Sequence, residues 1–283
     1  MGVIAVQLYY QSKAYQGIYD VIRAENGELM GFSLVKLARS ELVTGETKGY
    51  EAVLVILSGQ ADVKVGDKEF AGLGLRADVF SGRATSVYIP RDSRYEVYAL
   101  SHNFEAALCQ VQAARKYSPF VVTPDEVVVH HRGTHLWQRE VHDIIVENGE
   151  GRVDRIVVGE TYSLPGHWSS FPSHKHDCHR PPKETELMEV YHYRVEPTNL
   201  FGVQLWYTED GKADKALIVR DGDTFKIPYG YHPVVSPPGV RLYYLWFLGG
   251  NHGRQLIAYD DPAFDHLKDG KEGSAFLLSG GVS

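Results

Sequence analysis

Short apolar segments recur along almost the whole chain, and they are the feature that most constrains its fold. They are rich in Val, Ile and Tyr, and Gly, Pro, Asp or Asn separates them at intervals of roughly ten residues, the spacing of β-sandwiches and barrels. Clear examples are EAVLVILSG, TSVYIP, MEVYHYRV, FGVQLWYT and VRLYYLWFLG. Such residues suit the pleated surface of a sheet, and amphipathic helical patterns are scarce. The sequence therefore predicts an all-β protein.

The order of these segments repeats once along the 283 residues. In the first half, EAVLVILSG is followed by LRADVFSGRATSVYIPRDSRYEVYA, and in the second half EVYHYRV is followed by VRDGDTFKIPYGYHPVVSPPG. Each half has a glutamate that opens an apolar strand, then a strand that ends in Ile-Pro, a short turn and another strand. Self-similarity of this kind indicates two β-sandwich repeats. We expect a boundary within HHRGTHLWQREVH, which gives domains 1–135 and 136–283.

Composition excludes several classes of partner. The net charge is −7 and Lys and Arg are not clustered, so a nucleic-acid partner is not expected. Two cysteines are too few for a disulfide framework. The first residues lack the basic segment of a signal peptide, and no apolar run has the length of a membrane span. We expect a cytoplasmic protein without a membrane partner. Exposed sheet edges are often paired or covered, which favours a homo-oligomer.

Four of the thirteen histidines lie in SSFPSHKHDCHRPPKETELMEVYHYR, residues 169–194. His174 and His176 are two apart, so on a strand both imidazoles face the same side. Glu189 opens the next strand, and His232 follows a tight Pro-Tyr-Gly-Tyr turn. Three imidazoles and one carboxylate suit Zn²⁺, Mn²⁺ or Fe²⁺ and leave positions for substrate. Because residues 1–101 contain no histidine, the second repeat alone is predicted to hold such a site.

Other residues of the same segment compete for this role. Glu184 and Glu186 are closer to the paired histidines than Glu189 is, but they lie in a Pro-rich loop. His179 belongs to that loop, and His192 alternates with Glu189 on the strand, so it should face the opposite side. A surface H-x-H pair and a histidine hydrogen-bonded within a turn are the alternatives to a metal site.

The spacing of these residues resembles the metal motif of the cupin superfamily. H-x-H is followed by a glutamate and then by G-x5-P-x-G and a histidine, read here as Gly222, Pro228, Gly230 and His232. SSFPSHKHD, DGDTFKIPYGYHPVVSPPG and LYYLWFLGG together resemble the 5-deoxy-glucuronate isomerase family of bacterial inositol catabolism, which is related to the 5-keto-4-deoxyuronate isomerase of pectin degradation. The chain departs from that family at Tyr229, where a basic residue is usual, and after the last strand, where it reads GGNHGRQLIAY.

The resemblance implies an all-β bicupin with two jelly-roll repeats, of which the first is degenerate and lacks metal. It implies one divalent metal ion per chain, Zn²⁺ with Mn²⁺ or Fe²⁺ as alternatives. Carried over position by position, the ligands are His174, His176, Glu189 and His232. The implied reaction is the aldose–ketose isomerisation of an open-chain sugar acid, 5-deoxy-D-glucuronate to 2-deoxy-5-keto-D-gluconate.

Such a reaction requires a group that moves a proton and a cation that holds the substrate carboxylate. The candidates for the first are two loop glutamates and two tyrosines: Glu184, Glu186, Tyr191 and Tyr231. The candidates for the second are Lys175, Lys226 and Arg180. Two other functions remain open at this point, a metal-dependent dioxygenase, because three histidines and a glutamate also bind iron, and a non-catalytic sugar-binding cupin.

Overall fold

The computed structural model describes residues 7–25 and 27–267. Strands dominate the described residues, and the helical segments among them are short 3-10 turns at Pro124–Glu126, His135–Trp137, Glu147–Gly149 and Pro262–Leu267. None of these helices is long and apolar enough to cross a membrane. The strands of the described residues are, in chain order, β1 (Tyr9–Tyr10), β2 (Gly17–Ile22), β3 (Met30–Leu37), β4 (Leu42–Glu46), β5 (Tyr50–Ser58), β6 (Ala61–Val65), β7 (Lys68–Leu73), β8 (Ser86–Ile89), β9 (Arg94–Ala99), β10 (Phe104–Gln112), β11 (Phe120–Val122), β12 (Val128–Arg132), β13 (Arg139–Ile145), β14 (Val157–Ser163), β15 (Trp168–Ser169), β16 (His174–Lys175), β17 (Met188–Glu196), β18 (Gly202–Tyr207), β19 (Asp214–Val219), β20 (Thr224–Ile227), β21 (Val234–Val235), β22 (Arg241–Gly249) and β23 (Tyr259–Asp260).

The strands form two groups of antiparallel sheets. The N-terminal barrel consists of the sheet β11-β8-β5-β10-β3-β2 and the sheet β4-β9-β6-β7. The C-terminal barrel consists of the sheet β1-β20-β17-β22-β14-β13-β12, the sheet β15-β21-β18-β19 and the pair β16-β23. β1 thus comes from the start of the chain yet pairs with β20, where Tyr9 lies opposite Phe225.

The largest sheets of the two barrels pack back to back, and strand β22 shows why. Its residues alternate between two cores because successive side chains on a strand point to opposite faces. Leu242, Tyr244, Trp246 and Leu248 lie in the core of the C-terminal barrel. Tyr243, Leu245 and Phe247 lie in a shared core with residues of the N-terminal sheet such as Phe32 and Val55. A strand buried on both faces reads as one continuous apolar run, which is how this segment appears in the sequence.

The side chains of strand β5, in the N-terminal sheet, also alternate between two cores. Ala52, Leu54 and Ile56 fill the interior of the N-terminal barrel, whereas Val53 and Val55 enter the shared core. The interior of that barrel is a continuous apolar cluster that also includes residues of the strands β3, β6, β8, β9 and β10. The N-terminal barrel is therefore filled by side chains.

Buried polar groups connect the two barrels. The carboxylate of Glu51, which is fully buried, accepts hydrogen bonds from the backbone N–H groups of Asp154 (2.8 Å), Arg155 (2.6 Å) and Ile156 (2.8 Å), and from the hydroxyl of Tyr88 (2.8 Å). A buried carboxylate needs such partners because desolvation without them is costly. This glutamate thus holds the loop before β14 against the N-terminal sheet.

A second connection is the ion pair between Arg76 and Glu160. Their Nη2 and Oε1 atoms are 2.6 Å apart, and the exposed fractions of the two side chains are 2% and 0%. Glu160 also accepts hydrogen bonds from the hydroxyls of Tyr243 (2.8 Å) and Tyr162 (3.2 Å). A buried ion pair tolerates the loss of neither partner, because the remaining charge would be uncompensated.

The predicted all-β architecture is confirmed. The division into residues 1–135 and 136–283 stays a prediction, and its ends, residues 1–6 and 268–283, lie outside the described residues. Strands β1 and β12 precede residue 135 in the chain and pair within the C-terminal barrel.

Candidate metal centre

Three ligand-type side chains meet inside the C-terminal barrel. The ligand atoms of His176, Glu189 and His232 all lie within 4.8 Å of one another. The Nε2 atom of His176 is 3.2 Å from Oε2 of Glu189, and Nε2 of His232 is 3.3 Å from the same oxygen. All three side chains are buried. His176 precedes Glu189 by 13 residues and His232 follows it by 43, yet both converge on its carboxylate.

His174 lies beside this cluster. The centre of its ring is 5.1 Å from that of His232 and 6.3 Å from that of His176. Burial, together with the two neighbouring imidazoles, lowers the pKa of His174 to about 3. The ring is therefore neutral at physiological pH, and a neutral imidazole is the form that binds a metal.

The backbone fixes which ring nitrogen of each histidine faces the cluster. Nδ1 of His176 is 2.8 Å from the carbonyl oxygen of Leu187, and Nδ1 of His232 is 2.8 Å from that of Gly230. Nδ1 of His174 is 3.3 Å from the carbonyl oxygen of Pro172. A carbonyl oxygen can only accept, so Nδ1 carries the proton in each ring and Nε2 presents a lone pair. Metal-binding histidines are oriented by this kind of hydrogen bond.

The histidine Nε2 atoms and the carboxylate of Glu189 are better satisfied by a shared cation than by contact with one another. Nε2 of His232 is buried, and the described residues offer it no hydrogen-bond partner. Burial works against the charged form of Glu189, but its contacts with His176 and His232 lower its pKa to about 2, so a carboxylate faces lone pairs. Burial also works to lower the pKa of His176, yet Glu189 outweighs it and raises that pKa. Without a cation an imidazole must take a second proton to face the carboxylate, whereas a divalent ion satisfies all the donor atoms together.

The loop after β16 and the turn before His232 are held together. Asp177 accepts a hydrogen bond from the backbone N–H of Gly230 (2.7 Å) and from Nζ of Lys175 (2.5 Å). Gly230 has a φ of +86°, and a Cβ atom there would lie 2.8 Å from the carbonyl oxygen of Tyr207. Glycine is the residue that adopts this backbone conformation without strain. The turn can thus bring His232 next to His176.

A cavity of about 130 Å³ opens onto the cluster. Its wall is largely aromatic and apolar, and the only carboxylate among its described lining residues is Glu189; the lining consists of Arg139, Val141, Thr161, Ser170, His174, His176, Glu189, Tyr191, Tyr244, Trp246, Leu248 and Leu256. Burial, reinforced by Glu189, raises the pKa of Tyr191 well above its usual value. Its hydroxyl, 3.3 Å from Oγ of Ser170, is therefore protonated at neutral pH.

Of the predicted proton-transfer residues, the structure brings Tyr191 to this cavity. Glu184 is fully buried elsewhere, where it accepts hydrogen bonds from Arg180 (2.7 Å), from Lys175 (3.1 Å) and from the backbone N–H of Asp177 (2.9 Å). These bonds occupy both of its oxygens and stabilise the loop. The prediction of a free base at Glu184 therefore does not agree with its placement.

The other two predicted proton-transfer residues also lie away from the cavity. Glu186 is half exposed and is 3.3 Å from Nε2 of His252. Tyr231 is buried, but its hydroxyl donates to Glu209 (2.6 Å) and its ring lines a separate pocket between β18 and the turn before His232. Tyr231 directly precedes His232, so along an extended chain the two side chains point to opposite sides, and this alternation counts against Tyr231 at the cavity.

The three predicted carboxylate-binding cations each have an acidic partner in the protein. Lys226 is buried and lies 2.6 Å from Glu28. Arg180 is bound to Glu184, and Lys175 lies between Asp177 (2.5 Å) and Glu184. None of these three cations is among the described residues that line the cavity.

Sequence reasoning missed Arg139, Ser170 and Tyr244, which line the cavity. Arg139 opens strand β13, within the segment that was interpreted as the boundary between the repeats. The available signal was the alternation of Arg139 and Val141 with Glu140 and His142, which places the arginine and the valine on one face. Both do line the cavity.

Comparisons with known proteins agree with this geometry. The KduI/IolB family matches residues 6–267. The chain is 37% identical to the 5-deoxy-glucuronate isomerase of Geobacillus kaustophilus over 86% of its own length and 87% of the relative's. It is 32% identical to the 5-deoxy-glucuronate isomerase of Bacillus subtilis strain 168 over 83% and 86% of the two chains.

Solved structures extend the comparison to the fold. An IolB-like protein of Salmonella typhimurium LT2 superposes with a TM-score of 0.87 at 31% identity, covering 93% of this chain and all of that one. The oxalate decarboxylase of Lactobacillus farciminis superposes with a TM-score of 0.64 at 11% identity over 95% of each chain, a likeness of fold alone. The predicted bicupin fold is confirmed. On the match over residues 6–267 and the identity to these relatives, the chain belongs to the KduI/IolB family.

Proposed function

We propose that this chain is a metal-dependent 5-deoxy-glucuronate isomerase, an aldose–ketose isomerase of inositol catabolism. Its substrate is 5-deoxy-D-glucuronate and its product is 2-deoxy-5-keto-D-gluconate. The observation that carries the proposal is the buried cluster of His176, Glu189 and His232, which opens onto a cavity in a chain 37% identical to an isomerase of that name.

In this proposal four side chains hold one divalent ion, Zn²⁺ with Mn²⁺ or Fe²⁺ as alternatives: His174, His176, Glu189 and His232. Three neutral nitrogens and one carboxylate suit these borderline ions and leave positions for substrate oxygens. The ion, when bound, polarises the substrate carbonyl as a Lewis acid. The hydrogen bonds from Nδ1 of His176 and His232 to backbone carbonyls support the assignment because they leave each Nε2 facing the carboxylate of Glu189.

The isomerisation converts an aldehyde at C1 and a hydroxyl at C2 into a hydroxyl at C1 and a ketone at C2. A route through an enediol requires a base that removes the proton from C2. Glu189, the one carboxylate among the described residues that line the cavity, is assigned to the ion, and Tyr191 is protonated. We therefore favour a hydride shift, in which the hydrogen moves with its electron pair from C2 to C1 and no base acts on carbon.

Tyr191 and Ser170 are then assigned to the oxygens. In a hydride shift the C2 hydroxyl loses its proton as the C2 carbonyl forms, and the C1 oxygen gains one. The hydroxyls of Tyr191 and Ser170, 3.3 Å apart, can each donate and accept, so they can pass this proton from one oxygen to the other. The reaction carried out in D₂O distinguishes the two routes. A hydride shift leaves C1 of the product free of deuterium, whereas the enediol route incorporates deuterium at C1.

The proposed function is tested with purified protein and 5-deoxy-D-glucuronate, with metal content measured in parallel. We expect isomerisation that a chelator abolishes and one metal ion restores. His176→Ala and His232→Ala should lose both the metal and the activity, and His179→Ala, at an exposed histidine three residues further on, should keep both. Full activity in either His176→Ala or His232→Ala, or oxygen uptake with substrate in place of isomerisation, would contradict the proposal.

Other expectations belong with this proposal. The free cysteines Cys109 and Cys178 support a reducing compartment, the cytoplasm. The proposed partner is a small sugar acid, without nucleic acid or membrane, in line with the net charge of −7 and the unclustered Lys and Arg. The assignment of residues 1–135 to a repeat without metal is supported by the absence of histidine from residues 1–101. Assembly into a homo-oligomer stays a prediction, tested by sedimentation of the purified protein.

A further inference from the structure

We propose that Arg139 binds the carboxylate of the substrate and thereby selects sugar acids over neutral sugars. The inference rests on the proposed function, because the metal cluster is taken to hold the aldehyde end of the same molecule. Arg139 belongs to the wall of the cavity that contains His174, His176 and Glu189. An open-chain sugar acid carries its aldehyde and its carboxylate at opposite ends. One molecule in this cavity can therefore contact the metal cluster with the aldehyde and Arg139 with the carboxylate.

The backbone orients the guanidinium of Arg139. Its Nη1 atom donates to the carbonyl oxygens of Phe171 (2.8 Å) and Trp137 (3.2 Å). These bonds hold one corner of the planar group and leave the remaining N–H donors for another acceptor. An arginine fixed in this way loses little conformational freedom when it binds a carboxylate with two parallel hydrogen bonds.

Among the described residues, Arg139 forms no ion pair with a carboxylate. Burial lowers its pKa, and the groups that act on it besides burial are Tyr244, Arg132 and Tyr191, none of them a carboxylate. A partly buried cation without a counter-ion is costly to the fold. Such a cost is retained in a protein where the counter-ion is a ligand, which supports an anionic substrate group at this position.

The predicted alternatives differ from Arg139 in this respect. Lys226, Arg180 and Lys175 lie 2.6, 2.7 and 2.5 Å from Glu28, Glu184 and Asp177 respectively. Their charges are already compensated within the protein. Of these four cations, Arg139 lines the cavity, and it has no acidic partner in the part of the chain that the structure describes.

The test compares the acid with its neutral counterpart. Substrates are 5-deoxy-D-glucuronate and its primary carboxamide, which has nearly the same shape without the charge. Variants are Arg139→Gln, Arg139→Lys and, as the control, Arg94→Gln, an exposed arginine that opens strand β9 of the N-terminal barrel. Metal content and thermal unfolding are measured for each, so that a misfolded protein is recognised.

We expect Arg139→Gln to raise KM for the acid about 100-fold and KM for the amide less than threefold, with metal content unchanged. A 100-fold change corresponds to about 2.7 kcal/mol at roughly 1.36 kcal/mol per tenfold, the range of hydrogen bonds to charged groups. Arg139→Lys should recover part of the discrimination between acid and amide, because lysine keeps the positive charge but cannot donate two parallel hydrogen bonds to the carboxylate. Arg94→Gln should change neither constant. An equal loss for acid and amide, or no loss for either, would overturn the inference.

A binding measurement separates this inference from the proposed function. Reduction of the aldehyde gives an alditol acid that cannot isomerise, and calorimetry gives its affinity and that of the corresponding amide. Wild-type protein should bind the acid about 100-fold more tightly, by the same free-energy difference, and Arg139→Gln should abolish the preference. If wild type fails to isomerise the uronate yet shows this preference, the proposed reaction fails and the carboxylate site stands. Equal binding of acid and amide by wild type would refute the carboxylate site.

Discussion

The two barrels share one architecture and differ in what fills them. The N-terminal barrel is closed by hydrocarbon side chains from its own strands, Val35, Leu54 and Phe104 among them. The C-terminal barrel contains a comparable apolar layer, but part of its interior is given to His176, Glu189 and His232 and to the cavity beside them. The interior of the N-terminal barrel is thus packed with apolar side chains, whereas part of the interior of the C-terminal barrel is occupied by the cluster and the cavity.

The difference is sharpest at two glutamates, Glu51 and Glu189, that open corresponding strands. The sequence suggests that they are equivalent, but they point to opposite faces. Glu189 faces the barrel interior and the histidines, whereas Glu51 faces the other barrel and accepts backbone N–H groups there. Since side chains alternate along a strand, a shift of one residue exchanges the two faces. The same residue type at the same place in the repeat therefore joins a candidate metal cluster in one barrel and connects the two barrels in the other.

The comparison predicts its largest effect for Glu189→Gln. Removing the charge of this carboxylate should weaken metal binding and lower kcat/KM for the uronate by at least about 1000-fold, on the order of 4 kcal/mol. Metal content and isomerase activity are the measurements, and far-ultraviolet circular dichroism confirms that the fold persists. Bound metal and activity at the wild-type level would remove the contrast between the two glutamates.

Replacing Arg76 with methionine should give the largest loss of stability, about 3–5 kcal/mol, because the buried carboxylate of Glu160 is left unpaired. The second substitution Glu160→Gln removes that charge and should recover more than half of the loss. Urea unfolding of both variants measures this coupling. Simple addition of two losses would show that the pair acts as two separate side chains. Arg241→Gln, which breaks the exposed pair with Glu196, should cost less than about 1 kcal/mol.

The counterpart at Glu51 should behave in the opposite way to Glu189. Glu51→Gln replaces a charged acceptor of three backbone N–H groups with an amide, and its NH₂ group opposes those donors. We expect the free energy of unfolding to fall by about 2–3 kcal/mol, with the metal content of the folded protein unchanged. A variant that kept its stability but lost its metal would reverse the roles assigned to the two glutamates.

The smallest predicted effect concerns His192, which faces the shared core beside Phe32. Burial holds its pKa well below the usual value, so the folded protein keeps this ring neutral while the unfolded chain takes up a proton near pH 6.5. Stability from this group is therefore present above pH 6.5 and lost on acidification. The difference in unfolding free energy between wild type and His192→Asn should shrink by about 1 kcal/mol from pH 7 to 5.5.

This measurement is made by urea unfolding with a chelator present, so that metal loss does not contribute. The same substitution at the exposed His131 is the control. A difference between wild type and His192→Asn that stays constant over this pH range would show that the buried ring does not resist protonation.

The sequence predicted the strands because they depend on local patterns, whereas the convergence of His176, Glu189 and His232 was implied by the resemblance to the cupin motif. Alternation and β-branched runs mark strands directly, and His174 and His176 were selected by their spacing on one chain segment. The roles of Glu184 and Lys226 could not be read in this way. Glu184 is held by its own loop, and Lys226 pairs with a glutamate 198 residues away, a contact that no local pattern encodes.

The pairing of β1 with β20 has a consequence for how the protein is made. Tyr9 donates a hydrogen bond to Asp223, 214 residues further along the chain. At a synthesis rate of about 10 residues per second, the strand of Tyr9 and Tyr10 emerges from the ribosome about 20 s before its partner. The first barrel can assemble during that interval, but we expect the start of the chain to remain unattached until the last third has been translated. The C-terminal sheet is therefore complete only when β20, which is translated late, pairs with β1.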